Sequence, residues 1–200
     1  MGQPDIAILI LAAGQSSRMR GTDKLLEPVD GHPLIRRQAL EALATGMPVW
    51  IALPPDQPLR RAMVRDLPLQ VIEVAGAASG LSFSIAAGQA AVPAHMSLIL
   101  WLADLPEIAT SDLEALARAA SRQPDAIIRA TTATGKPGHP VLFPPAARPK
   151  LATLTGDSGA RDLLKKLAPI TLFIPLPANR ALTDLDTPED WAAWRAATHG

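Results

Sequence analysis

The stretch Ile6-Ala7-Ile8-Leu9-Ile10-Leu11 runs directly into Ala12-Ala13-Gly14-Gln15-Ser16-Ser17-Arg18-Met19-Arg20-Gly21-Thr22-Asp23-Lys24. An unbroken apolar run of this length, with no polar face, is the pattern of a strand covered on both sides. The loop after it is small, contains glycine and carries two cations, Arg18 and Lys24. Backbone N–H groups in such a loop can approach an anion closely while the cations close around it, so phosphate is the ligand class it suggests. It is neither a Gly-x4-Gly-Lys-Ser/Thr loop nor a Gly-x-Gly-x-x-Gly loop. Its spacing alone equally allows a surface loop with solvated cations.

Outward from this stretch, short apolar runs alternate with segments of helical spacing. Strands are predicted at 49–53, 70–74, 97–102, 126–131, 140–143, 170–174 and 181–185, and helices at 33–44, 59–66, 82–91 and 111–121. Ser111-Asp112-Leu113-Glu114 reads as a capping box that starts the last of these helices. Strands without a polar face, separated by helices, predict an α/β fold with a mainly parallel sheet covered by helices on both faces. No repeat, linker or low-complexity segment divides the chain, so one domain over residues 1–200 is expected. In such sheets ligands bind beyond the carboxyl ends of the strands, which directs the search to the loops there.

Composition narrows the function classes. Apolar residues make up 48% of the chain, enough for a large core without disulfides. There is no cysteine, which removes thiolate chemistry and cysteine-held zinc and makes a reducing cytoplasm the simplest compartment. Nineteen basic residues balance nineteen acidic ones, so no nucleic-acid partner is expected. The N-terminus lacks the basic start of a signal peptide. Residues 74–103 carry no Asp, Glu, Lys or Arg, yet Gly, Ser, Gln, His and Pro interrupt them too often for a membrane span. That stretch reads as interior or substrate-facing wall.

Two further constellations carry chemistry. Leu100-Trp101-Leu102-Ala103-Asp104-Leu105-Pro106 places a carboxylate at the end of an apolar run, in a loop stiffened by proline. Magnesium prefers one or two carboxylates together with substrate phosphate oxygens, and Asp104 suits that role, with capping of the next loop as the alternative. In Thr183-Asp184-Leu185-Asp186-Thr187-Pro188-Glu189-Asp190 the two aspartates share a side if the segment is extended. Residues 187–190 are a helix start, with an N-cap, a proline and first-turn acids, while a metal role stays open for Asp186. Gly76 to Ser82 precedes a helix whose N-terminus could meet a base or a phosphate. His139, between Gly138 and Pro140, and Arg161 in Gly156-Asp157-Ser158-Gly159-Ala160-Arg161 lie in loops rich in special residues.

Taken together and in this order, these segments resemble the nucleotidyltransferases that mature the molybdenum cofactor. The family pattern Leu-Ala-Ala-Gly-x-Ser-x-Arg-Met…Lys-Leu-Leu is met at residues 11–26, Gly-Leu-Ser-x-Ser at 80–84, and Asp-Met/Leu-Pro at 104–106. Gly-His-Pro-Val is met at 138–141, Gly-Asp-x-Gly-Ala-Arg at 156–161, and Asp-x-Asp-Thr-Pro-Glu-Asp at 184–190. The resemblance spans nearly the whole chain. It implies a Rossmann-like nucleotidyltransferase domain, Mg²⁺ as cofactor, and transfer of a nucleoside monophosphate to the cofactor's terminal phosphate with release of pyrophosphate. Ala12-Ala13-Gly14 and Gly80-Leu81-Ser82 resemble the cytidylyl branch, so CTP and a molybdopterin-type cofactor are the expected substrates. An extra residue in Arg18-Met19-Arg20-Gly21 departs from the family's Arg-Met-Gly.

By this resemblance Asp104 and Asp186 are the expected metal carboxylates, and Arg18 and Lys24 the triphosphate cations. The backbone from Leu11 through Ala12 and Ala13 to Gly14, with Gly80, Leu81 and Ser82, is expected to read the base, and His139 and Arg161 to face the acceptor. A xanthine dehydrogenase-type molybdoenzyme is the implied recipient. Guanylyl transfer, nucleotidyl transfer to a sugar phosphate, and a non-catalytic cofactor carrier are the alternatives.

Overall fold

The computed structural model describes residues 5–77, 80–154 and 158–199. The strand order is set by the opening run. β1 (Ile6–Leu11) lies between β4 (Val49–Leu53) and β6 (Ser97–Leu102), parallel to both. β5 (Gln70–Glu73) continues the parallel block beyond β4. On the other side, β8 (Pro137–Phe143) pairs antiparallel with β6 and with β7 (Ile127–Thr131), and β9 (Thr171–Pro175) closes the edge parallel to β7. The order is thus β5-β4-β1-β6-β8-β7-β9. Between β1 and β4, Pro28–Val29 and His32–Pro33 form a small antiparallel pair, β2 and β3, too short to leave a periodic signal in the sequence.

Alternate residues of β1 face opposite layers, which is why the run has no polar member. Ile6, Ile8 and Ile10 pack in one cluster with α1 (Leu34–Leu43), α4 (Thr110–Arg122) and α6 (Pro188–His199), through Leu34, Ile35, Leu113, Leu116 and Trp191. Ala7, Leu9 and Leu11 pack in the other, with Ile85 of α3 (Leu81–Ala91) and Leu164 of α5 (Ser158–Lys166). A Cβ on Gly88 of α3 would come within 2.1 Å of Leu9, so the absent side chain is what lets this helix sit close to the sheet. This is the expected Rossmann-like arrangement, a mostly parallel sheet with helices on both faces.

Local chemistry sets the helix ends. α1 stops where Gly46 takes a left-handed φ of 73° and donates to the Leu43 carbonyl. α2 (Pro58–Val64) begins on proline, whose missing N–H costs nothing in a first turn. At α6 the Thr187 hydroxyl accepts from the Asp190 N–H at 3.1 Å while Asp190 accepts from the Thr187 N–H at 2.9 Å, a reciprocal cap as expected.

Two expectations are corrected. The cap of α4 lies earlier than Ser111 and Glu114: Asp112 accepts the Ala109 N–H at 3.0 Å, and Glu41 from α1 accepts the Thr110 N–H at 2.7 Å. A tertiary acceptor thus starts the helix one residue sooner. Residues 181–185 form no strand. Leu182 and Thr183 both donate to the Asn179 carbonyl, and Asp184 donates to that of Leu182, so the segment curls on itself.

Candidate active site

The loop after β1 is held from below. Arg60, on α2, is 1% exposed and donates from Nη1 to the Ala12 carbonyl at 2.6 Å. Its Nε and Nη2 reach the two Asp23 oxygens at 2.6 and 2.8 Å, and Nη2 also reaches Ser16 Oγ at 3.2 Å. Burial disfavours the Asp23 charge, but the Arg60 guanidinium outweighs it and holds the carboxyl below its ordinary range. Asp23 in turn accepts the Leu25 N–H at 3.0 Å, capping the short turn that carries Lys24.

From that turn the Lys24 side chain, 11% exposed, reaches two carboxylates distant in sequence. Nζ lies 2.5 Å from Asp104 Oδ2 and 2.6 Å from Asp186 Oδ1. Arg18 Nη2 takes the other Asp186 oxygen at 2.7 Å. Burial opposes the Lys24 charge, yet the Asp104 and Asp186 carboxylates override it, and its pKa rises above the ordinary lysine value. Asp184 sits close enough to feel both carboxylates. Burial first, and then the charges of Asp186 and Asp104, raise its pKa. Asp104 Oδ1 is buried with no hydrogen-bond partner among the described residues.

The Asp186 segment is docked by glycine. A Cβ on Gly138 of β8 would meet the Ala181 carbonyl oxygen at 2.0 Å, and the His139 N–H donates to that same oxygen at 2.9 Å. Leu185 N–H then donates to the Asp104 carbonyl at 3.4 Å, which brings the two acidic loops side by side.

A cavity of about 310 Å³ opens over these groups. Most of the expected nucleotide residues line it, Leu11, Ala13, Gly14, Arg18, Lys24, Gly80 and Leu81, and so does Asp186, expected at the metal. Gly80 has a φ of 125°, a conformation that glycine adopts readily, and starts α3 with the N-terminal end of the helix at the cavity wall. Ala12 and Ser82 are buried behind the wall, and Asp104 stands behind Lys24. A second cavity, about 460 Å³, shares Ala13, Gly14 and Gln15 and is walled opposite by Pro54, Asp56 and Gln57.

His139 is placed elsewhere. It lines an apolar pocket with Leu81, Ile85 and Phe143, and its Nδ1 is buried without a hydrogen-bond partner among the described residues. Burial, followed by the nearby Arg129 charge, lowers its pKa to about 4, so the ring is neutral near pH 7. It therefore brings no positive charge to an acceptor phosphate. The side chain of Arg161 lies outside the described residues. Arg20, the extra residue of the loop, takes a left-handed φ of 53° and pairs with Glu189 at the start of α6 at 2.8 Å, so it joins neither Arg18 nor Lys24.

Sequence reading missed Arg60, Asp23 and the 54–57 wall. An arginine in a short helix reads as a solvated charge, and Pro54-Pro55 reads only as a stiff connection. Asp23 had one signal, its place immediately before Lys24.

The signature of the MobA-like NTP transferase domain matches residues 8–170. A probable molybdenum cofactor guanylyltransferase of Synechococcus elongatus is 31% identical over 193 residues, covering 94% of this chain and 97% of its own. The purine catabolism protein PucB of Bacillus subtilis is 28% identical, covering 98% and 99%. A crystal structure of Rv0371c from Mycobacterium tuberculosis superposes with a TM-score of 0.82 at 24% identity, over 96% of this chain and 98% of that one. Among the described residues no helix is long and apolar enough to cross a membrane.

Proposed function

The chain belongs to the MobA-like NTP transferase family, and from that premise we propose that it transfers CMP from CTP to the terminal phosphate of the molybdenum cofactor. The observation that carries this reading is the cluster of Lys24, Arg18, Asp104 and Asp186 at one end of a cavity walled by the Ala13–Gly14 loop and Gly80. Two cations and two carboxylates at a nucleotide-sized cleft are what phosphoryl chemistry between anionic partners requires. A carrier needs no such set.

The carboxylates fit a divalent cation. Asp104 Oδ1 is buried and unpartnered, and the neighbouring oxygens already hold positive charge in the form of the Lys24 ammonium. Magnesium is commonly held by one or two carboxylates together with substrate phosphate oxygens and water, a set to which these two aspartates can contribute. Asp104 and Asp186 would hold Mg²⁺, which supplies neutralisation of phosphate charge and polarises the α-phosphorus. Lys24 and Arg18 turn from the carboxylates to the β- and γ-phosphates and stabilise the departing pyrophosphate. The acceptor phosphate forms the new P–O bond at the α-phosphorus as the bond to pyrophosphate breaks. No general base is needed, because a phosphate monoester is largely ionised near neutral pH. The backbone at Ala13 and Gly14 and at Gly80 and Leu81, which lines the cavity, reads the base, while Ala12 and Ser82 support it from behind.

The identity of the donor has a second reading. The Synechococcus relative is named a guanylyltransferase, which favours GTP, while Ala12-Ala13-Gly14 and Gly80-Leu81-Ser82 favour CTP. Pyrophosphate release measured with each of the four nucleoside triphosphates, Mg²⁺ and the phosphorylated pterin cofactor decides between them. CTP-dependent release is expected. Release with GTP alone reverses the base assignment, and cofactor binding without release supports a carrier. Asp104→Asn should abolish turnover at unchanged fold; full Mg²⁺-dependent activity in that variant would remove Asp104 from the chemistry.

A further inference from the structure

We propose that Arg60 is the positioning residue of the nucleotide cleft, one buried guanidinium that fixes the Ala12–Asp23 loop, and with it Lys24, against the Pro54–Gln57 wall. The proposal rests on the nucleotidyl-transfer reading of the same cleft. All four side-chain hydrogen bonds of Arg60 among the described residues end on this one loop. They grip its start at Ala12, its middle at Ser16 and its end at Asp23. Ser16 also donates to Asp23 Oδ1 at 3.1 Å, so the loop is drawn into a closed ring around the guanidinium.

What this ring positions is chemical. Asp23 immediately precedes Lys24 and caps its turn through the Leu25 N–H, so the Nζ that meets Asp104 and Asp186 is held by a backbone that Arg60 holds. α2 starts at Pro58, directly after Gln57, so the same side chain ties the far wall of the second cavity to the loop that forms its near wall. The loop otherwise has reasons to relax. Ser16 and Arg20 both sit at left-handed φ values, 52° and 53°, which L-residues populate only when surroundings hold them there. If Arg60 served only to anchor α2 to the core, Val64 and the Arg36 contacts to Met63 and Asp66 would already serve that end.

A planar guanidinium can bind a carboxylate through two nitrogens and a carbonyl through the third, whereas an ammonium is a single point of charge. Arg60→Lys therefore keeps the buried charge and loses the geometry. With CTP and GTP as probes, the folded Arg60→Lys protein should show roughly 100-fold lower kcat/KM for the donor nucleotide and an unchanged KM for the acceptor. Arg60→Ala should lose at least as much and regain part of it when guanidinium ion is added at concentrations too low to unfold it. If Arg60→Ala does not fold, Asp23→Asn, which keeps the volume and weakens the same grip, should reproduce the donor-side loss. Wild-type donor kinetics in folded Arg60→Lys would overturn the proposal, as would losses that follow the unfolded fraction equally for donor and acceptor. Direct titration of CTP and GTP binding separates this failure from that of the functional reading. A wild-type protein that releases no pyrophosphate with any nucleotide sinks the reading, whereas Arg60 then stands or falls on tighter nucleotide binding by wild type than by Arg60→Lys.

Discussion

Lys24 shows how a single residue can hold a site together before substrate arrives. Two carboxylates that reach the same ammonium nitrogen would repel one another if left alone. The ammonium between them, with Arg18 on the outer oxygen of Asp186, offsets that repulsion and ties the two acidic loops together at the edge of the cleft. These four side chains were legible in the sequence because motifs place each at a strand end or loop corner. Arg60 was not, since nothing local distinguishes a buried arginine from a solvated one. His139 was legible as a constrained histidine and illegible in its surroundings. Its pKa of about 4, below the 6.5 of a free imidazole, has a consequence for stability. Between those values the unfolded chain binds a proton that the folded chain refuses, so stability falls as pH falls through that window. The contribution is fully present above pH 6.5 and lost toward pH 4. Replacing His139 with phenylalanine should flatten this part of the stability profile, read from urea midpoints measured at each pH. An unchanged slope would mean that the ring is already solvated.

At the scale of elements, the expected strand runs form strands except residues 181–185, and the direction of an individual strand left no mark in the sequence. Pro140–Phe143 looks the same from sequence whether it runs with or against its neighbours, because a strand buried on both faces has no polar side to mark its orientation. In the fold β8 runs antiparallel between β6 and β7, and this places Gly138 at the end of the sheet where Asp104 emerges. Residues 181–185 form a short segment with apolar ends and are expected as a strand, yet local bonds to Asn179 curl them so that Ala181 can lie on Gly138. The glycine is thus the seat of the Asp186 loop. Gly138→Ala should push the Ala181 backbone away and draw Asp186 from Lys24, with a backbone clash that costs about 1–3 kcal/mol. The expected outcome is a folded protein with a modestly lower melting temperature and a disproportionate loss of pyrophosphate release. If activity and stability fall only in proportion, Gly138 serves packing alone.

Across the whole molecule, the site is assembled from parts that are far apart in the chain. Lys24 and Asp186 are separated by 162 positions, and no periodic pattern reports a contact at that range. The fold class was legible because covering a sheet on both faces leaves a mark on every strand; the pairing of loops leaves none. What carries Asp186 to the first loop is the C-terminal helix. α6 starts two residues after Asp186, and its Trp191 is 1% exposed in the same cluster as Ile8, Leu105 and Leu185. Trp194 meets the Trp191 ring edge-on at 5.9 Å, Arg195 lies 5.0 Å from its centroid, and Arg195 also bonds Glu27, two residues after the Lys24–Leu25 pair. Arg20 and Glu189 add a link nearer the cleft. Trp191→Ala should therefore cost about 3–5 kcal/mol, a large share of the stability of a domain this size. Trp191→Phe should recover most of it. At a temperature where both variants remain folded, the alanine protein should still bind nucleotide less tightly than the phenylalanine protein, because its Asp186 loop has lost the support of the helix. Equal nucleotide binding by the two folded variants would show that the cap at Thr187 and the Gly138 seat hold Asp186 without help from α6.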